Sequence, residues 1–310
     1  MIRHRDKGHV MIWIAEITES PAFGRFRKLN KENRVMKYLF VKGWMLALLL
    51  LCVAYPGWAQ YEGGESLPDL PQSNPAPAPK PLVSKEEEAA YKAFYTARSA
   101  EPARLIFLGE EFITKYPSSL YLGAVYSALT SSYLQTNQTP KMLEAGDKAL
   151  AANPNDVDVL PILAWAIPRQ VTGRTPDGPQ QLQKATGYAR RGIELINSMV
   201  KPAGMDDAIF GKVKNDKLSM CHGGLGVIAV KTGKYADAIP ELTAAVQLAS
   251  VPDMVDYWLL GTSNLESNHF TAAVETFGKC AVNASPMANQ CKAGIEDAKN
   301  RAKTQLEAPK

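Results

Sequence analysis

Two stretches of this chain match each other when one is shifted by 35 residues, and a period of that size restricts a chain to repeat architectures. From Leu218 to Ser250, the residues Leu225, Gly226, Gly233, Tyr235, Ala238, Ile239, Leu242 and Ala245 form an ordered set, with Pro252 just beyond. The shift carries Leu225 to Leu260, Gly226 to Gly261, Ala238 to Ala273, Leu242 to Phe277 and Ala245 to Cys280, and Pro286 closes the second unit. Apolar residues recur at helical spacing within each unit, and no strand pattern interrupts them.

Upstream, Tyr126, Leu129, Tyr133, Ala149, Leu150 and Pro154 fit the same template. The stretch KALAANPND, which ends this unit, resembles the close of a tetratricopeptide repeat. The resemblance implies an all-α, right-handed α-solenoid of antiparallel helical hairpins, with about four or five hairpins and a C-terminal capping helix. In that family small side chains stand where the two helices of a hairpin cross, and a proline marks the exit.

The first clear unit departs from the pattern, with Thr130 where Gly is usual, Met142 where Ala is usual and Gly146 where a bulky residue is usual. It is expected to pack less tightly. A repeat-like hairpin is expected from Glu86 to Tyr116, with Pro117 at its exit, and Ser84 and Glu87 have the spacing of a capping box. In the unit that starts near Val157, Leu160, Leu163, Ala164 and Ile167 suit a first helix that Pro168 should end. After TGRTPDGP its second helix runs from about Gln181 to Met199, and KPAGMDD follows. Met205 to Lys231 then reads as one lengthened helix with Ile209, Val213, Leu218 and Leu225 on its buried side. Met287 to Leu306 is amphipathic and suits a solvated terminal helix. The repeat domain thus spans residues 85–308.

The N-terminal segments have a different character. Met36 to Gln60 carries Lys37 and Lys42, an apolar run from Trp44 to Tyr55, then Pro56, Gly57 and Ala59, the layout of a secretory signal peptide cleaved near Ala59. The run is much shorter than the roughly 20 residues a membrane span needs. Cys52 follows the large Leu51, which argues against a lipidation site. Residues 1–35 show no sustained period and are read as a disordered, over-extended N-terminus ahead of a true start at Met36. Residues 61–84 form a spacer rich in proline, from Pro68 to Pro81. These readings make the protein exported, periplasmic or secreted, with membrane contact only through the signal segment.

Ten of the 35 Lys and Arg, but only four of the 31 Asp and Glu, precede Gln60, so the remainder holds 25 basic against 27 acidic residues. Without a basic stripe, nucleic acid is an unexpected partner. Past Cys52 stand Cys221, Cys280 and Cys291, an odd count that leaves a thiol unpaired in an oxidising compartment. Cys280 and Cys291 flank the turn at Pro286, where antiparallel helices bring them together either as a disulfide or as two small core residues.

Catalytic groupings are sparse. After the signal segment only His222 and His269 remain, and no HExxH, CxxC, CxxCH or GxSxG pattern occurs. Cys221 and His222 are neighbours on a helix and point about 100° apart. Gly223, Gly224 and Gly226 lack a preceding strand and read as close packing in place of a phosphate loop. Glu110 with Glu111, and Asp206 with Asp207, read as solvated charge or helix starts. No metal or cofactor is expected.

The family's geometry implies that an inner groove is lined by Ser131, Leu134 and Gln135, then Trp165 and Arg169, then Val227 and Lys231, then Trp258, Thr262 and Leu265. Trp and Arg are enriched among residues that dominate binding, although each tryptophan equally suits the core. The leading function is a non-catalytic scaffold that holds a protein or peptide partner in this groove. One alternative is a tethering or assembly factor for envelope complexes that uses the convex face and the spacer. Another is an enzyme or enzyme subunit with a site at the inserts near Thr172 to Pro179 and Lys201 to Asp207.

Overall fold

Hairpins follow one another along the chain because each helix carries an apolar stripe that only its neighbours can cover. A computed structural model of the protein describes residues 83–97, 101–282 and 285–307. The readings made for residues 1–35, for the signal segment 36–60 and for the spacer up to residue 82 lie outside the described residues.

Among the described residues there are eleven α-helices and no strand. Five antiparallel hairpins pair α1 (Lys85–Thr96) with α2 (Pro102–Lys115), α3 (Leu122–Gln135) with α4 (Thr139–Ala152), and α5 (Val159–Gln170) with α6 (Gly178–Asn197). The last two pair α7 (Asp207–Lys231) with α8 (Tyr235–Leu248), and α9 (Met254–Glu266) with α10 (Phe270–Cys280), before the terminal α11 (Ala288–Glu307). Each helix packs on the next, and the first helices also form a row of their own, α3 on α5, α5 on α7 and α7 on α9.

Local chemistry sets the ends. Ser84 Oγ accepts a hydrogen bond from the Glu87 amide at 3.0 Å, the expected cap of α1. The turns inside three hairpins share one construction, with Asn137, Gly233 and Asn268 in the left-handed region. The following amide in each case bonds five residues back, Gln138 to Tyr133, Lys234 to Ala229 and His269 to Asn264, all at 2.8 Å. Glycine and asparagine tolerate that conformation best.

The crossings follow the small-against-large rule. A Cβ on Gly226 would lie 2.5 Å from the Leu242 side chain, and one on Gly261 would lie 2.5 Å from Phe277. Gly294 of α11 meets the other edge of the same Phe277 ring at 2.7 Å, so one aromatic side chain joins the last hairpin to its capping helix. In the α3/α4 hairpin the sizes are exchanged. Thr130 and Met142 are buried, Thr130 Oγ1 donates to the Tyr126 carbonyl at 2.8 Å, and Gly146 accommodates Leu163 of α5. The expected loosening of that unit is therefore not seen in its burial.

Two expectations about helix extent need correction. Pro168 does not end the first helix of its hairpin, because α5 continues to Gln170. Proline in the last turn removes one bond, that to the Ala164 carbonyl four residues back. That carbonyl instead faces Gly224 of α7, where a Cβ would stand 2.2 Å from the oxygen. The second correction concerns α7, which is one helix as expected, but Ile209 and Val213 are 58% and 38% exposed, and burial starts at Leu218. At 25 residues against 13 in α9, α7 is longer by about 18 Å, and its first turns extend beyond the buried stretch.

The structure joins Cys280 to Cys291 as a disulfide between α10 and α11, and Cys221 is a buried free thiol.

Gly224→Ala is expected to be among the most damaging single-methyl additions in the chain, because the obstructing atom is backbone and cannot rotate away. A loss of about 1–3 kcal/mol in chemical denaturation is expected, with little loss for Gly187→Ala, where no atom lies within 4 Å.

Candidate functional site

The row of first helices separates the ten expected groove residues into three groups. Ser131, Leu134 and Gln135 on α3, Trp165 on α5, and Trp258 and Thr262 on α9 keep accessible surface. Val227 and Leu265 do not, at 3% and 5% exposure. Val227 packs with Leu259, Leu260 and Trp258 in the α7–α9 core, so neither residue offers surface to a partner. Arg169 and Lys231 are on the row but already engaged within the chain.

Their engagement builds the most organised polar cluster of this face. Arg169 stands in the last turn of α5, and its Nη2 donates to Asp256 Oδ1 at 2.5 Å and lies 3.5 Å from Asp253 Oδ2. Nη1 donates to the Trp165 carbonyl at 3.0 Å, and the guanidinium lies over the Trp165 ring at 4.4 Å. Asp253 caps α9, accepting from the Val255 amide at 2.9 Å, and Asp256 lies in the first turn of the same helix, so both acids suit its dipole. Lys231, at the end of α7, donates to the Val171 carbonyl at 2.7 Å.

This ion pair joins two hairpins that are not neighbours in sequence, because α7 lies between α5 and α9 in the row. Glycine permits it. Asp256 Oδ2 would stand 2.9 Å from a Cβ on Gly223, so any side chain there would occupy the space of the carboxylate. Arg169 and Asp256 have side-chain exposures of only 14% and 6%. Burial pushes the Asp256 carboxyl up to about 6, opposed by the Arg169 charge and assisted by Asp253. Burial, and then the Arg169 charge, lowers Lys231. Asp253, Asp256 and Gly223 were not read as site residues. Their only sequence signals are acids at a helix start and a glycine doublet, and neither points to an arginine 87 residues away.

The groups weighed for catalysis have structural employment. Cys221 Sγ lies 2.8 Å from a Cβ position on Gly192, and burial pushes its thiol up to about 12. His222 Nδ1 is 2.7 Å from Glu241 Oε2 on α8, so the two adjacent residues have different neighbours. In the inserts, Asp206 caps α7, Lys201 pairs with Asp207 at 2.5 Å, and Asp177 accepts from Gln181 at 3.0 Å. Among the described residues no three His, Cys, Asp or Glu side chains are grouped to hold a metal ion. On the second-helix side, a shallow cleft of about 460 Å³ between α4 and α6 is lined by residues including Leu150, Lys184 and Tyr188.

The 35-residue sequence period now has a geometric counterpart: Gly226 under Leu242 and Gly261 under Phe277, each followed by the same left-handed turn at Gly233 and Asn268. The fold is tetratricopeptide-like. No family model matches the sequence, and no curated protein matches it. Solved structures similar to this tetratricopeptide-like chain include TTC0263, a thermophilic tetratricopeptide protein of Thermus thermophilus, at 15% identity and a TM-score of 0.40, covering 69% of this chain and 99% of that one. The assembly chaperone of RpL4, Acl4, is similar at 8% identity and a TM-score of 0.44, covering 71% and 98%. The type IV pilus biogenesis factor PilW is similar at 12% identity and a TM-score of 0.35, covering 67% and 98%. The fold assignment rests on the chain's own repeated packing.

The Asp256 carboxyl predicts a pH signature. Its folded value of about 6 lies above the ordinary 3.8, so the folded chain holds the proton more tightly than the unfolded one. Its stabilising contribution is complete below about pH 4 and is lost as pH rises through about 6. The unfolding free energy of the wild type minus that of Asp256→Asn should fall by about 3 kcal/mol across this window in urea titrations. A pH-independent difference would contradict the assignment.

Proposed function

We propose that the protein is a non-catalytic, exported scaffold that holds a peptide segment or partner protein on the face formed by α3, α5, α7 and α9. The observation that carries this reading is the pair of tryptophans, Trp165 on α5 and Trp258 on α9, left partly exposed on that row. Large aromatics supply much of the binding energy at protein interfaces and are unfavourable where water alone covers them. Leu134 and Thr262, also partly exposed, extend the surface along the same row. The Arg169–Asp256 pair between these helices is internally balanced, so the surface favours an apolar or aromatic segment over a strongly charged one.

Export is supported by the signal-like run from Lys37 to Ala59 and by the Cys280–Cys291 disulfide, since such bonds persist in oxidising compartments. The enzyme alternative loses support because Asp206 caps α7, Lys201 pairs with Asp207, and Asp177 is hydrogen-bonded to Gln181. A second exposed apolar feature, Met205, Ile209 and Val213, lies at the projecting start of α7, beyond the buried stretch of that helix.

Capture from envelope extracts with the full chain as bait distinguishes these readings. Trp165→Ala and Trp258→Ala should each weaken capture by about 2 kcal/mol or more, with circular dichroism unchanged, and Ile209→Ser should leave it intact. Loss of capture in Ile209→Ser with both tryptophan variants unaffected would move the binding surface to the projecting start of α7, Met205 to Val213.

A further inference from the structure

Arg169 has two carboxylates within reach of one nitrogen, and they differ in their access to water. Nη2 is 2.5 Å from Asp256, whose side chain is 6% exposed, and 3.5 Å from Asp253, whose side chain is 34% exposed. The guanidinium is held near both by its stacking on Trp165 and by the Nη1 bond to the Trp165 carbonyl. Its Nε is buried without a hydrogen-bond partner among the described residues, so the guanidinium is incompletely satisfied where it stands.

We propose that Arg169 is a two-position, proton-driven switch that grips Asp256 across α7 when that carboxyl is charged and moves outward to Asp253 when it is protonated. With both acids ionised, Arg169 and Lys231 are balanced by Asp253 and Asp256. Protonation of Asp256 leaves the cluster with one excess positive charge in a place where an unpaired guanidinium is costly. Asp253 then becomes the better partner, because it lies within 3.5 Å of the same nitrogen and reaches solvent.

The charged groups facing Asp256 come from three elements. Arg169 approaches from α5, Asp253 stands on α9 itself, and on α7 Lys231 lies close enough to Arg169 to feel its charge. His222 is next to Gly223 on α7 but is turned to Glu241 of α8. Movement of Arg169 would shift the tie between α5 and α9 from beside Gly223 to the capping turn of α9. The binding face would then differ between neutral and mildly acidic conditions, whatever its partner.

The Arg169 side-chain Hε–Nε resonance of the full chain, identified by its loss in Arg169→Lys, reads this directly. The wild type should titrate with a midpoint at about 6, the Asp256 value. Asp256→Asn should hold the acid-limit position at every pH. Asp253→Asn should share the alkaline position but reach a different acid endpoint, because the outer station is gone. Coincident wild-type and Asp253→Asn titrations would overturn the switch and leave Arg169 fixed on a neutral Asp256. A titration that survives in Asp256→Asn would assign the transition to another group and overturn it equally. Should Asp256→Asn fail to fold, the Asp253→Asn comparison decides alone.

Discussion

The contact on which the middle of this molecule depends is that between Gly224 of α7 and the carbonyl of Ala164 on α5. Pro168 has no N–H to give that carbonyl, and Gly224 has no side chain to keep α7 away from it. The two residues are complementary at backbone level, in a geometry where a weak Cα–H···O contact is the natural filler. This approach brings α5 and α7 close together. It lets the guanidinium at the end of α5 reach across to α9, where Gly223 leaves room for the Asp256 carboxylate.

A buried ion pair does not by itself argue for stability, because desolvating both groups offsets most of the attraction. What it supplies here is a fixed relation between hairpins that sequence order would leave independent. Repeat stacks are ordinarily stabilised by nearest-neighbour interfaces alone. The α5–α9 tie is an exception inside an otherwise neighbour-by-neighbour arrangement, and it starts from the hairpin that carries the inserts. The C-terminal end is secured differently, with Phe277 between Gly261 and Gly294 and the disulfide close by.

Most of the fold was legible in the sequence because it rests on short-range rules. Gly226 and Gly261 announce their crossings, Ser84 its cap, and the positions of Cys280 and Cys291 around Pro286 leave two options of which the structure takes the bond. The errors arise where tertiary context overrides a local rule. Pro168 reads as a terminator until a glycine faces the carbonyl it deprives. Ile209 and Val213 read as buried because periodicity cannot reveal that, among the described residues, the start of α7 projects and leaves them 58% and 38% exposed. The face of the first helices was less legible: a family template names positions without their depth, so Val227 and Leu265 were included although buried, and the Asp253 and Asp256 cluster was missed.

In the proposed function the row of first helices meets another protein. A photoreactive amino acid placed in the full chain at Ser131 or Thr262, and separately at Ala151 on the second-helix side, tests it in the native cell. Covalent protein adducts are expected from Ser131 and Thr262 and none from Ala151. Adducts from Ala151 alone would contradict it.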